Sequence, residues 1–176
     1  MASPLSLPPT SPRLLVVDDE PGLRRVLEIT FRRQGHEVVA VPGVKTALEA
    51  IRQSPTPFAL VLTDLVMPDG SGMDVLTAAK QRSEATEVLV MTAHSTVDAA
   101  LEAMRRGAYD FVTKPFSPAE IAALAQKALE KGSIVIENQR LKAHLERLGS
   151  DGRESLGTSP AMQRIAELIT KVAKAR

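Results

Sequence analysis

Five short runs of mainly apolar residues recur between residues 14 and 112, and a helical pattern follows each of them. The runs are Leu14–Val17, Glu37–Val41, Phe58–Asp64, Glu87–Thr92 and Tyr109–Val112. Because their apolar residues are nearly continuous rather than alternating with polar ones, the runs are typical of strands that are buried on both faces. Strands that alternate with helices in this way predict an α/β fold with a parallel sheet covered by helices on both sides.

The composition narrows the classes of protein to which the chain can belong. Its 176 residues are 44% hydrophobic, which suits one globular domain with extra segments, and its net charge of +1 does not indicate a nucleic-acid binder. The absence of cysteine excludes disulfides and thiolate metal sites. No apolar run approaches the roughly 18 residues that span a membrane. Residues 1–12 contain four prolines and lack the features of a signal peptide, so we expect a disordered leader in a cytoplasmic protein.

Polar side chains stand at the ends of four of these runs. Asp18 and Asp19 follow the first run, and Asp64 and Thr92 end the third and the fourth. Lys114 comes shortly after the fifth run. Right-handed crossovers place the carboxyl ends of parallel strands at one edge of the sheet, which is where the ligand sites of such sheets lie. We therefore expect three carboxylates, a hydroxyl and an ammonium group to converge there.

The three carboxylates indicate a metal site, since like charges held together repel unless a cation lies among them. With no cysteine and no paired histidines, the available ligands are oxygen atoms, which favour a hard divalent ion such as Mg²⁺. One carboxylate can then act as a nucleophile while the lysine and the metal balance the charge of a phosphoryl group. Plainer interpretations stay open at this point: Asp18 and Asp19 could simply favour the start of a helix at Pro21, and Thr92 could simply end a strand.

Four short motifs at the strand ends resemble the receiver domain of two-component response regulators. They are Val16–Glu20, Thr63–Pro68, Met91–Ala93 and Thr113–Phe116. The resemblance covers residues 13–130 and implies a flavodoxin-like (βα)5 doubly wound parallel sheet with the strand order 2-1-3-4-5. It also implies that Asp64 is a phosphoacceptor that takes its phosphoryl group from a sensor histidine kinase. On this interpretation the chain is a phosphorylated switch rather than an enzyme.

The resemblance implies a metal site around Asp64. Mg²⁺ would be bound by Asp19 and Asp64, by the main-chain carbonyl of Val66, and by Asp18 through water. Lys114 would pair first with Asp64 and then with the phosphate.

The resemblance also implies a set of residues that respond to the phosphate. The peptide bond between Lys114 and Pro115 is expected to be cis, which is rare enough to be a defined feature of a structure. Thr92 would move towards the phosphoryl group, and Phe111 would turn inward to fill the space behind it. Receivers often have tyrosine where this chain has Phe111, so this position has no hydroxyl to carry a signal.

Residues 131–149 continue the last helical pattern as a coiled-coil-like linker. A seam runs along its second half, formed by Ile134, Asn138, Leu141, Leu145 and Leu148. An asparagine at a seam position favours a defined register and a two-stranded pairing, so we expect a parallel homodimer through this extension of the fifth helix. A helix packed back on its own domain and a solvated linker are the alternatives.

Residues 150–176 resemble the entry to the central ATPase domain of nitrogen-regulator-type, sigma-54-dependent transcription activators. Gly149–Gly152 is expected to be a linker, and Leu156–Met162 opens a helix whose apolar face has no local partner. The resemblance implies a truncated ATPase domain here, with downstream ATPase and DNA-binding domains in the full-length protein. A fragment of this kind would neither hydrolyse ATP nor bind nucleic acid directly.

Two other classes of function stay open on the residues alone. An aspartyl-phosphate hydrolase on a related sheet would favour an Asp-x-Asp signature, whereas Leu65 and Val66 follow Asp64. A receiver-like interaction module that is never phosphorylated would have the same fold. Formation of a stable phosphate adduct on Asp64 distinguishes the three.

Overall fold

The computed structural model describes residues 11–93 and 97–155, without the side chains of residues 97 and 146–155. In chain order the elements are β1 (Arg13–Val17), α1 (Pro21–Arg33), β2 (Glu37–Val41), α2 (Val44–Gln53), β3 (Leu60–Asp64), β4 (Val66–Met67), β5 (Gly70–Ser71), α3 (Gly72–Arg82), β6 (Glu87–Thr92), α4 (Val97–Arg105), β7 (Asp110–Thr113) and α5 (Pro118–Ser155). Most of the expected leader and the expected ATPase helix lie outside the described residues.

Five parallel strands form the central sheet, in the order β2-β1-β3-β6-β7. These are the five strands that the apolar runs predict, and the predicted order 2-1-3-4-5 is confirmed, since the short β4 and β5 belong to a separate hairpin. Every residue of β3 and β6 is buried. Burial on both faces explains why the sequences of these strands do not alternate between apolar and polar residues.

Helices cover both faces of the sheet. On one face α1 and α5 pack against the strands through buried residues that include Phe31 and Ile121. On the other face α2, α3 and α4 do the same through Ile51, Leu76 and Ala103. Each large apolar side chain buried in this way contributes about 1.5–3 kcal/mol. The two cores therefore hold the strand ends, and the polar side chains they carry, in fixed positions.

Local signals in the sequence set several helix boundaries. Gly35 and Gly107 lie just beyond α1 and α4 with φ of 88° and 90°, a conformation that favours glycine at helix ends. At the start of α5, the Ser117 hydroxyl accepts a hydrogen bond from the Glu120 amide at 3.1 Å. The Glu120 carboxylate in turn accepts one from the Ser117 amide at 3.0 Å. Through this reciprocal capping box, Ser117 caps the helix.

The hairpin of β4 and β5 is an element that the sequence pattern does not predict. Val66 pairs with Ser71 and Met67 pairs with Gly70 in antiparallel orientation. Strands of two residues are too short to show a period in the sequence. The hairpin connects β3 to α3, and so it begins right beside the last residue of β3.

The fifth helix is longer than the sequence predicts. It runs unbroken from Pro118 to Ser155, so the expectation of a linker between helices at Gly149–Gly152 is wrong. Each glycine costs a helix about 1 kcal/mol but keeps its backbone donor, and no proline follows Pro118 within the helix. The helix can therefore continue through these glycines. The chain divides into two compact units, the first ending at Val135 and the second beginning at Ile136. No described helix combines the length and the apolar character needed to cross a membrane.

Candidate functional site

The predicted site residues lie at the carboxyl edge of the sheet. Asp18 follows β1 directly, Asp64 ends β3, Thr92 ends β6 and Lys114 follows β7. The register of the strands aligns their carboxyl ends, since Asp64 pairs with Met91 and Thr92 pairs with Thr113. The convergence expected from the parallel arrangement is therefore present in the fold.

Three carboxylates form a compact acidic cluster at this edge. One oxygen each of Asp18, Asp19 and Asp64 lies within 4.8 Å of the others. Asp18 is fully buried and Asp64 is 8% exposed, whereas Asp19 is exposed to solvent. Oxygen ligands around an opening to solvent suit a hard cation that keeps part of its water shell, as Mg²⁺ does. The donor set and the spacing therefore fit the predicted magnesium site.

Lys114 is the cation that the described residues place against the acidic cluster. Its Nζ atom lies 2.7 Å from Oδ2 of Asp18 and 2.5 Å from Oδ2 of Asp64. Burial alone would lower the pKa of the Lys114 ammonium group, but its hydrogen bonds to the two carboxylates and their charges outweigh burial, so the pKa lies above its usual value. The lysine is therefore charged at neutral pH. The peptide bond from Lys114 to Pro115 is cis.

The backbone around Asp18 is also held by hydrogen bonds. Oδ1 of Asp18 accepts from the amide of Glu20 at 2.9 Å. The guanidinium of Arg24 donates to the main-chain carbonyl of Asp18 at 2.6 Å. These contacts tie the acidic residue to the first turn of α1. Its position therefore depends on both β1 and α1.

The loop after Asp64 returns to the Asp64 carboxylate. The amide of Val66 donates to Oδ1 of Asp64 at 3.3 Å, so the backbone of Val66 lies beside the acid. Gly72 opens α3 against the same residue: a Cβ atom there would lie 2.0 Å from the carbonyl oxygen of Asp64. Only glycine fits such an approach. The start of α3 is thereby fixed against the end of β3.

A family model of the response regulator receiver domain matches residues 14–126. The chain belongs to this family. Accepting a phosphoryl group is the general function of receiver domains. The fold, the acidic cluster and the lysine of this receiver are those that the sequence resemblance predicts.

The curated relatives of this receiver are longer proteins. The response regulator protein PilR of Pseudomonas aeruginosa is 35% identical over 93% of this chain and 34% of its own length. The DNA-binding transcriptional regulator NtrC of Proteus hauseri is 33% identical over 90% of this chain and 32% of its own length. The chain thus spans about a third of these relatives. The predicted resemblance to sigma-54-dependent regulators is confirmed.

Solved receiver structures share the fold. The beryllofluoride-activated NtrC4 receiver domain dimer is 32% identical, with a TM-score of 0.62 over 68% of this chain and 98% of its own. A receiver domain protein from Clostridium thermocellum is 26% identical, with a TM-score of 0.65 over 70% of this chain and 98% of its own.

The two residues expected to respond to phosphate lie on one face of neighbouring strands of the receiver. Thr92 is 1% exposed at the end of β6. Phe111 is half-buried on β7, opposite Val90, and packs against the core cluster that contains Val90. Because side chains two residues apart on a strand share a face, Phe111 and Thr92 lie on the same side of the sheet.

The predicted dimer seam lies along α5. Ile134, Leu141 and Leu145 are 67%, 53% and 66% exposed, and Asn138 is exposed as well. The side chain of Leu148 lies outside the described residues. The seam therefore presents apolar surface to solvent in the single chain.

Sequence reasoning missed two charged residues that the structure places at defined positions. Asp69 contacts the start of α2, and Glu87 is buried at the amino end of β6 between two lysines. Neither belongs to a recognisable motif. For Glu87 the only signal in the sequence is a charged residue at the first position of a buried strand. For Asp69 the only signal is its place among the turn residues Pro68–Gly70.

Proposed function

We propose that this receiver takes a phosphoryl group from a phosphohistidine of a cytoplasmic sensor histidine kinase onto Asp64. The observation that carries the proposal is the position of Asp64, which ends the central strand β3 between two further carboxylates and the ammonium of Lys114. A structural aspartate needs one partner of opposite charge. Here a second, fully buried carboxylate shares the same lysine, which is costly unless a bound cation completes the charge balance.

The chemistry follows from the groups around Asp64. An oxygen of its carboxylate attacks the phosphorus, a new P–O bond forms, and the P–N bond to the donor histidine breaks. The electron pair of that bond stays on the donor nitrogen, and because the other ring nitrogen of the phosphohistidine carries a proton, the histidine leaves as a neutral imidazole. Bound at Asp18, Asp19, Asp64 and the carbonyl of Val66, Mg²⁺ would supply charge to balance the phosphoryl oxygens. Lys114 keeps its charge and passes from the carboxylate to the phosphoryl group.

The hydroxyl of Thr92 is proposed to donate a hydrogen bond to the phosphoryl group. Its location at the end of β6, next to β7, supports this role. Movement of Thr92 would open space on the face that it shares with Phe111, and Phe111 would turn inward to fill it. The consequence is a repacked surface of α4, β7 and α5, reached by a shift between two states.

The output proposed for the whole protein is control of a sigma-54-dependent transcription activator through a homodimer. The relatives named above and the dimeric NtrC4 receiver support this assignment. The exposed seam on α5 supplies an apolar surface for the pairing of two chains. Phosphorylation would then change how these helices pair, and with it the assembly of downstream ATPase domains.

Phosphorylation of Asp64 can be measured directly. Incubation with Mg²⁺ and acetyl phosphate should add the mass of one phosphoryl group to the intact protein. The adduct should be absent in Asp64→Asn and in wild type treated with EDTA. Asp74→Asn, which changes an exposed aspartate on α3, is the matched control and should be phosphorylated like wild type. A protein that forms no adduct with any phosphodonor would be an interaction module instead.

A further inference from the structure

The hairpin that follows the phosphoacceptor is anchored at its tip to a distant helix. Asp69 lies in the turn between β4 and β5. Its Oδ1 atom accepts a hydrogen bond from the amide of Val44, and its Oδ2 atom accepts one from the amide of Lys45, both at 3.0 Å. Both donors belong to the first turn of α2. The carboxylate therefore joins two segments that are about 25 residues apart in sequence.

The start of α2 has no cap of its own. Gly43 occupies the capping position and offers no side chain, so the first amides of the helix need an acceptor from elsewhere. Asp69 provides it, and these backbone hydrogen bonds hold the pKa of the Asp69 carboxyl below its usual value. A Cβ atom at position 43 would lie 2.6 Å from Oδ1 of Asp69. Glycine is therefore the residue that lets the carboxylate reach the helix.

The other end of the same hairpin lies at the phosphoacceptor. Val66 opens the hairpin, and its amide contacts Oδ1 of Asp64 at 3.3 Å. The amide of Gly72 closes the base by donating to the carbonyl of Leu65 at 2.9 Å. The hairpin is thus held at its base by β3 and α3 and at its tip by α2. Loss of the Asp69 contact would remove one of the two ends at which the hairpin is held.

We infer that Asp69 is a positioning residue for the magnesium site: its bond to α2 holds the hairpin so that the main chain of Val66 stays beside Asp64. This inference rests on one part of the proposed function, the binding of Mg²⁺ by the main-chain carbonyl of Val66. A positioned ligand binds without a further ordering cost. Removal of groups that orient ligands typically costs about 10-fold or more in metal affinity.

Removal of the anchor tests the inference. Asp69→Ala should raise the dissociation constant for Mg²⁺ about tenfold, measured by titration calorimetry and by the amide shifts of Asp64 and Val66 in NMR spectra. The Mg²⁺ concentration that half-saturates phosphorylation by acetyl phosphate should rise by the same factor. The rate at saturating Mg²⁺ should stay within about twofold, because the chemistry at Asp64 is intact.

The matched control is Thr46→Ala. The hydroxyl of Thr46 donates to the carbonyl of Gly43 at 2.9 Å, so this variant weakens the same end of α2 without touching the hairpin. It should lower the melting temperature but leave Mg²⁺ affinity at the wild-type value. Equal weakening of Mg²⁺ binding in Thr46→Ala, or unchanged binding in Asp69→Ala, would overturn the inference.

Gly43→Ala tests the same contact from its other side. It keeps Asp69, but the new Cβ forces the carboxylate off the helix. It should weaken Mg²⁺ binding as Asp69→Ala does, and the double variant should be no worse than either single variant. Additive losses would contradict a shared contact. A wild type that binds Mg²⁺ but forms no adduct on Asp64 overturns only the proposed function, whereas a wild type that binds no Mg²⁺ overturns the inference.

Discussion

At the scale of single residues, the site is a balance of charge around one lysine. Asp18 and Asp64 both pair with Lys114, whose side chain is only 15% exposed. One ammonium group balances only one of the two carboxylates, so an excess of negative charge remains. That excess of negative charge favours a divalent cation in the resting receiver. In the proposed switch, Lys114 would change its partner from the Asp64 carboxylate to the phosphoryl group.

His36 makes stability depend on pH. Nδ1 of His36 is buried without a hydrogen-bond partner in the described part of the chain, and burial lowers the pKa of the ring below its usual 6.5. Below pH 6.5 the His36 ring therefore binds a proton more readily in the unfolded chain than in the folded one. The contribution of His36 to the free energy of unfolding is fully present above pH 6.5 and is lost as the pH falls through the lowered pKa of the folded state.

Unfolding by urea at several pH values between about 7.5 and 5 measures this loss. His36→Gln should flatten the profile in that range. His144→Gln, which changes an exposed histidine on α5, should keep the wild-type profile. A profile that is the same with and without His36 would contradict the assignment.

At the scale of elements, a second charged cluster ties α3 and α5 to the amino edge of the sheet. The Glu87 carboxylate is 2% exposed, 3.4 Å from Nζ of Lys80 on α3 and 3.1 Å from Nζ of Lys131 on α5. Nζ of Lys131 also lies 5.1 Å from the ring centre of Tyr109. The helix that leads away from the receiver is thus held to the sheet at a defined point.

Glu87→Gln should destabilise the receiver. The variant leaves two ammonium groups without their shared counter-charge, and because Lys131 is 55% exposed we expect a loss of about 1–2 kcal/mol rather than that of a fully buried pair. Urea unfolding measures it. Glu84→Gln, three residues earlier and exposed, is the control and should unfold like wild type. Equal stability of Glu87→Gln and wild type would show that solvent already screens the cluster.

At the scale of the whole molecule, α5 connects the two edges of the receiver. It starts beside Lys114 and Pro115 at the phosphoacceptor edge, and its Lys131 meets Glu87 at the opposite edge. The contact with Glu87 therefore fixes the fourth turn of a helix whose first turn closely follows Lys114 in sequence. Beyond Val135 the same helix belongs to the second compact unit.

The exposed seam predicts how the whole protein associates. Leu141→Lys with Leu145→Lys places charge on two side chains that are 53% and 66% exposed, so it should abolish dimerisation without unfolding the chain. Sedimentation with and without acetyl phosphate measures the association. Gln139→Lys adds charge at an exposed position outside the seam and should leave the dimer intact. A wild type that stays monomeric in both states at high concentration would exclude the seam.

The amino-acid sequence alone predicts the parallel sheet and the acidic groups at its carboxyl edge. Both follow from local patterns, since apolar runs define strands and the residue that ends each run must lie at the shared edge. Contacts between groups far apart in sequence are visible only in the folded chain. Asp69 caps α2, and Glu87 forms ion pairs with lysines of two helices. Both contacts depend on how elements far apart in sequence pack together. The continuity of α5 through Gly149–Gly152 is likewise visible only in the structure, since the low helix propensity of glycine is too weak a signal to place a helix end.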